Sequence, residues 1–255
     1  MSLRIASLRD RAARSFAAAA LILGAAGCAS TPRFQGMAAA DLYALGQREY
    51  EEEHYEDAIE ALDRLLLSFP DFPQAAEARF LLAEAYFADE QYLVAVDEFV
   101  RFLDRHRGHA KGPEAALGAC RAQAALSPIS QRDQTYTLTA VSVCRNVVSD
   151  YPGQEVAREA AGIVNDLRGK LAKKEYDNGE QYFRLGAYFS AIIYWEMVVD
   201  LYADTEWAPA ALLGIVRSYE KVGYDDMVEE YTQQLLTSYP DSDAAREIRG
   251  GEGGG

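Results

Sequence analysis

The feature that most constrains the fold of this chain is a phrase that recurs along it. His54-Tyr55-Glu56-Asp57-Ala58-Ile59 closes at Phe69-Pro70, and Gln91-Tyr92-Leu93-Val94-Ala95-Val96 repeats its pattern about 37 residues later. Further copies are Ala187-Tyr188-Phe189-Ser190-Ala191-Ile192, and Gly223-Tyr224 leading to Tyr239-Pro240. Self-similarity at this period belongs to stacked units, none of which can bury its apolar face alone. From Asp41 onward the apolar residues follow helical spacing, and no β-branched alternating run is present to build a sheet. The expected fold is therefore all-α, a solenoid of about five helical hairpins.

Small residues and prolines give the hairpins their form. Gly46 and Ala58 fall where helix A meets helix B in the first unit, and bulk there would force the helices apart. Leu62, Leu65, Phe99 and Phe102 are placed to fill the seams, and Pro70, Pro152 and Pro240 punctuate the boundaries because proline cannot continue a helix. This pattern resembles the tetratricopeptide repeat. Repeats one to three are expected in 39–151 and repeats four and five in 152–248. In the third, Glu114 to Ser127 reads as helix A, yet Ala140, the counterpart of Ala58, comes about 10 residues late. The extra residues form a polar, proline-containing insertion, 127–135. From Val156 to about Leu185 the helical pattern is unbroken, longer than a standard repeat helix. The Gly-rich end, 249–255, reads as a disordered tail.

The N-terminus has a different character. Arg4, Arg9, Arg11 and Arg14 precede an apolar run from Phe16 to Leu23 that ends in Ala25-Ala26-Gly27-Cys28. The run falls well short of the roughly 20 residues of a membrane-spanning helix, and with its basic flank and small residues it reads as an export leader, 1–27. A cysteine directly after small residues looks like a bacterial lipobox, with Ala25 where such boxes usually have Leu. By that resemblance Cys28 carries the N-terminal diacylglycerol and acyl modification, residues 28–38 form a lipidated linker, and Ala29 directs the chain to the periplasmic face of the outer membrane. No other cofactor is expected. The formal charge is −15, and losing the leader would remove four arginines against one aspartate, so the mature chain is more acidic still. Nucleic acid is excluded as a partner on these grounds, and membrane attachment must come from the lipid.

Lipobox, repeats, insertion and long helix together resemble the outer-membrane assembly lipoproteins of the BamD (ComL) family. The specific pieces are Arg132-Asp133-Gln134-Thr135 in the insertion, Leu167-Arg168, Leu171-Ala172 and Glu175 on the long helix, and Gly186-Ala187-Tyr188 with Ala191-Ile192 beyond it. The resemblance implies a non-enzymatic scaffold that binds a BamA-type barrel protein through its periplasmic domains, other assembly lipoproteins and unfolded outer-membrane proteins. It places Arg168, Glu175, Tyr194 and Trp195 in the partner-binding region. Tyr194 stands where the family usually has a basic residue, so an aromatic anchor from Tyr194 or Trp195 is expected instead. The alternative reading is a periplasmic repeat lipoprotein that acts as an adaptor in peptidoglycan remodelling.

Repeat geometry aims Tyr43, Gln47, Tyr50 and Glu51 of repeat one, and Glu77, Phe80, Glu84 and Phe87 of repeat two, into the concave groove. Aromatics separated by polar groups suit an extended peptide with aromatic side chains. The alternative is that these rings pack between helices. Repeat three has Ala115 and Ala122 there, which confines the groove to the N-terminal third. No HExxH, GxSxG or phosphate-binding glycine loop occurs, and no metal site or enzyme activity is expected; His106 and His109 lie in a basic turn, Arg105 to Lys111. Cys120 and Cys144 fall on the facing helices of repeat three, and two readings are open, a disulfide or two buried thiols.

Overall fold

The computed structural model describes residue 34 and residues 36–252; the expected leader 1–27, Cys28 and residues 253–255 lie outside them. The described residues contain helices and no strand. Repeat one is α1 (Ala39–Glu51) with α2 (Tyr55–Ser68), repeat two α3 (Ala75–Ala88) with α4 (Tyr92–Arg105), and repeat three α5 (Gly112–Ala125) with α6 (Thr135–Asp150). Repeat four is α7 (Glu155–Arg184) with α8 (Tyr188–Leu201), and repeat five α9 (Trp207–Val222) with α10 (Asp225–Ser238). A final helix, α11 (Asp243–Glu252), covers the end of the stack with Ala244 and Ala245 against Leu212 and Leu235. This corrects the expected tail: Arg249, Gly250, Gly251 and Glu252 belong to the helix, because each added residue of an existing helix gains a backbone hydrogen bond without a new nucleation cost. Phe34, in the expected linker, is buried with Leu42 and Leu62 in the core of repeat one.

The four core alanines Ala58, Ala95, Ala140 and Ala191 are fully buried, as are the seam residues Leu62, Leu65, Phe99 and Phe102. Seam size is matched across each junction. A Cβ placed on Gly46 would lie 2.6 Å from Leu62 Cγ, and one on Gly118 would lie 2.4 Å from Phe99 Cζ. Trp195 is the extreme case, held between Gly179 on its own hairpin and Gly214 on the next, with a Cβ on either coming within 2.7 Å of the indole. Where the second helix carries a larger ring, its neighbours surrender their side chains, which keeps the interior close-packed without strain.

Each hairpin turn outside repeat three is built alike. Its pivot has left-handed backbone, φ 61° at Glu53, 60° at Glu90, 75° at Gly186 and 76° at Gly223. An aromatic pair brackets it: Tyr50 with Tyr55 (centroids 5.7 Å apart), Phe87 with Tyr92 (5.5 Å), Phe183 with Tyr188 (5.3 Å) and Tyr219 with Tyr224 (6.2 Å). Repeat three replaces this turn with the insertion and is closed covalently, because Cys120 and Cys144 are joined by a disulfide. Of the two readings of the cysteines, the structure takes the first.

Candidate functional site

The first helices of successive repeats share one face, and their side chains meet there. Tyr43 and Tyr50 of α1 stand opposite α3, so burial together with Glu77 raises the Tyr43 phenol above its ordinary pKa, and burial together with Glu84 does the same for Tyr50. Glu84 shifts in the same direction. Its carboxyl is also held above the usual carboxylate range, chiefly by desolvation, with Arg121 and Lys111 pulling weakly the other way. Gln47 is exposed beside them. The ammonium of Lys111 lies 4.5 Å from the Phe80 ring centroid, and Arg121 Nε donates to Glu159 at 2.6 Å, extending the face onto α7. The result is a surface of half-buried phenols around a carboxyl that is costly to ionise, an arrangement suited to aromatic or cationic side chains of an extended segment.

Not every ring expected in this groove is free to serve it. Tyr50 and Phe87 belong to the turn pairs that recur in repeats two, four and five, so their contact with Tyr55 and Tyr92 is part of hairpin closure. Phe80 packs edge-on against Phe99 and Phe102, 6.0 and 5.8 Å away, inside the seam. Tyr43, T-shaped against Phe72, together with Gln47 and Glu84, is what remains distinctive of the N-terminal repeats. Glu49, Glu52 and His54 also approach one another closely enough to hold a metal ion, but the hydrogen bond between His54 Nδ1 and Glu49 at 3.1 Å, with Glu52 3.6 Å away, accounts for that approach.

The expected partner-binding residues divide sharply. Trp195 is corrected: it is 1% exposed, with its Nε1 donating to the Tyr176 carbonyl at 3.2 Å, and it cannot anchor a partner because Gly179 and Gly214 admit it wholly into the core. Arg168 is corrected in part. Its side chain is 16% exposed and spent within the chain, paired bidentately with Asp204, donating to the Leu201 carbonyl at 2.9 Å and lying 5.4 Å from the Tyr202 ring centroid. It ties α7 to the α8–α9 turn. Glu175 accepts from Asn178 Nδ2 at 3.1 Å, and Tyr194 stacks on Tyr182 with centroids 5.2 Å apart and planes 10° apart; both are half-buried.

The insertion is likewise held from within. Gln134 Nε2 donates to the carbonyls of Ile129 and Arg132 at 2.9 and 3.0 Å, its Oε1 accepts from Thr137, and Asp133 accepts from the Thr135 amide. Lys170 and Lys174 of α7 clasp the loop through Ser127 Oγ at 2.8 Å and the Arg132 carbonyl at 3.2 Å. Between loop, α7 and the α8–α9 turn lies a cleft of ≈650 Å³, walled by Ile129, Asp166, Lys173, Glu206 and Trp207.

One surface escaped the sequence reading. Along α8, Phe189, Ile193, Met197 and Leu201 repeat every fourth residue on one side of the helix, and they are 54%, 58%, 37% and 56% exposed. The opposite side, Ala191, Ile192, Trp195 and Val198, is buried. A helix apolar on both sides is normally buried on both. The signal was present in the fourfold spacing, beside Tyr194.

Residues 35–236 match the family model described as "Outer membrane lipoprotein". The outer membrane protein assembly factor BamD of Rickettsia prowazekii is 26% identical over 224 residues, covering 87% of this chain and 88% of that one. The protein of the same name from Caulobacter vibrioides is 24% identical over 226 residues, covering 87% and 73%. Among solved structures, a TPR repeats protein from Bacteroides fragilis is similar over 83% of this chain and 96% of its own, at 12% identity and a TM-score of 0.47. With its groove, α7 and α8 all inside the matched span, this chain belongs to the outer membrane lipoprotein family YfiO.

Proposed function

We propose that this chain is a non-catalytic scaffold of outer-membrane barrel assembly, lipid-anchored through Cys28 at the periplasmic face of the outer membrane. The α8 stripe with Tyr194 and Glu175 docks a BamA-type barrel protein through its periplasmic domains, beside other assembly lipoproteins. The face around Tyr43, Gln47 and Glu84 receives segments of unfolded outer-membrane proteins. The relatives named as assembly factors support the process, and the Cys120–Cys144 disulfide fits an oxidising compartment. Among the described residues no helix is long and apolar enough to cross a membrane.

The observation that carries the docking assignment is the stripe Phe189-Ile193-Met197-Leu201, an apolar surface that stays more than a third exposed among the described residues, with Phe189 edge-on to Tyr224 at one end. Ile193→Asp places a charge in its centre without touching the buried side of α8. Affinity purification from membranes should recover a barrel protein with periplasmic domains on the wild type, and at least tenfold less of it on Ile193→Asp. Equal recovery would remove α8 as the docking surface. For the groove, Tyr43→Ala with Glu84→Ala should weaken binding of an unfolded barrel segment, measured by titration, while Phe87→Ala should act mainly through stability.

A further inference from the structure

The basic turn after α4, Arg105 to Lys111, plays no part in the functions above, although it gathers three cations and two histidines in a chain with 40 acidic and 25 basic residues. It borders a cavity of ≈240 Å³ at the edge between repeats one and two, walled by Leu66, Pro70, Ala75, Arg79, Arg105 and His106. Every ionisable side chain in that wall is basic. Arg79 is largely buried, donating through Nη1 to Glu98 at 2.7 Å, while its Nε is buried with no hydrogen-bond partner. Arg105 makes no ion pair among the described residues. Ala75 opens α3, so the N-terminal amides of that helix meet the same cavity, which the C-terminal ends of α2 and α4 also border. The carboxylates nearby are already engaged: Glu98 is held by Arg79 and Arg101, and Glu77 lies 3.5 Å from His109. Burial and the neighbouring charges of Arg79, His109 and Arg105 hold the His106 imidazole below its ordinary pKa, Glu77 opposing them. Arg79 is thus balanced by Glu98 through Nη1 but keeps an unpartnered Nε, and Arg105 is the cation of the wall left without an ion pair among the described residues, in a chain that is negative overall.

We propose that this cavity is a binding site for a phosphate group. Two guanidiniums, an imidazole and a helix N-terminus converge from separate elements, which matches a tetrahedral group with several oxygens and up to two charges better than a flat, singly charged carboxylate. The apolar half of the wall, Leu66, Pro70 and Ala75, suits the organic part of an ester. The phosphate comes either from a soluble ester or from an anionic lipid headgroup, and the two sources are separable.

The chain has three histidines, so each ring can be followed individually by NMR. Full-length protein is titrated with sodium phosphate against sodium chloride at matched ionic strength. Phosphate should raise the His106 pKa by at least half a unit and saturably, while His54, set between Glu49 and Glu52, stays in place. Arg105→Ala, an exposed position that leaves the Arg79–Glu98 pair intact, should weaken this response at least tenfold. A His106 that titrates identically in phosphate and chloride, or a response undiminished in Arg105→Ala, overturns the site. A stronger response to an acidic peptide than to phosphate also overturns it. Flotation with vesicles of phosphatidylglycerol in phosphatidylcholine, against phosphatidylcholine alone, then assigns the source. Flotation that Arg105→Ala reduces identifies the headgroup, and a phosphate response without it identifies a soluble ester.

Discussion

Repeats one and two share a construction with repeats four and five, and they part company on two points. The turn pivot is Glu53 and Glu90 in the first pair, Gly186 and Gly223 in the second, all with left-handed backbone. The seam is filled by Leu62 and Phe99 in the first pair, and by Trp195 between two glycines in the second. The aromatic pairs around the turns are common to both. Shared rings therefore describe the hairpin, and what distinguishes the two ends is written on surfaces the hairpin does not need: phenols around a desolvated carboxyl on one, an exposed apolar stripe on the other. The C-terminal pair spends its large ring on internal cohesion, with Trp195 locked between Gly179 and Gly214.

The seam difference gives the largest expected effect. Trp195→Ala should lower the unfolding free energy by about 3–5 kcal/mol, because neither glycine can move in to fill the space. Urea unfolding followed by far-UV circular dichroism measures it, and a loss near 1 kcal/mol would mean that the flanking helices collapse onto the gap. Next comes the staple between the two regions. Removing the Cys120–Cys144 bridge by Cys120→Ala with Cys144→Ala should cost about 3 kcal/mol by loop-closure entropy. Thermal melting of both forms tests this, and the mass of the unreduced wild type should be lower than the reduced form by two hydrogens.

These differences mark what sequence could and could not convey. Repeat boundaries and the long α7 were legible because helical spacing and proline act locally: the pattern from Val156 to about Leu185 became Glu155–Arg184. Trp195 was misread because burial is decided by what lies opposite, and the glycines that admit it are 16 and 19 residues away in the sequence. The groove was half legible. An aromatic near the end of a first helix meets the same pattern whether it faces a ligand or the ring five residues on, as Tyr50 and Tyr55 do. Arg132-Asp133-Gln134-Thr135 was recognisable as a motif, but that Gln134 pins the loop became visible only with Ile129 and Arg132 around it.

The turn pivots offer a smaller and more direct test. A non-glycine residue in the left-handed region costs about 1 kcal/mol, offset in part by the greater unfolded-state freedom of glycine. Glu53→Gly and Glu90→Gly should each stabilise by a few tenths up to about 1 kcal/mol, whereas Gly186→Glu and Gly223→Glu should destabilise by about 1 kcal/mol. Urea midpoints with unchanged slopes would show it. A loss in Glu53→Gly would mean that the glutamate side chain stabilises its turn by more than the backbone conformation costs.

The smallest expected effect lies in the groove and bears on function. Glu84 is an acid whose pKa is raised in the folded state, chiefly by desolvation, so it binds its proton more tightly folded than unfolded. Its ionisation therefore favours the unfolded chain: the cost is absent below the unfolded carboxylate pKa, develops as pH rises through the folded pKa, and is fully present above it. Glu84→Gln should thus stabilise the protein at neutral pH by under about 1 kcal/mol, and the gain should vanish in acid. If Arg121 and Lys111 instead dominate, the substitution would destabilise at neutral pH, and the carboxylate would be a stabilising member of an ion-pair network. The distinction matters for the groove, because a carboxylate that costs stability when empty can recover that cost from a cationic side chain of a bound segment, whereas one already satisfied by its neighbours has little to offer a ligand.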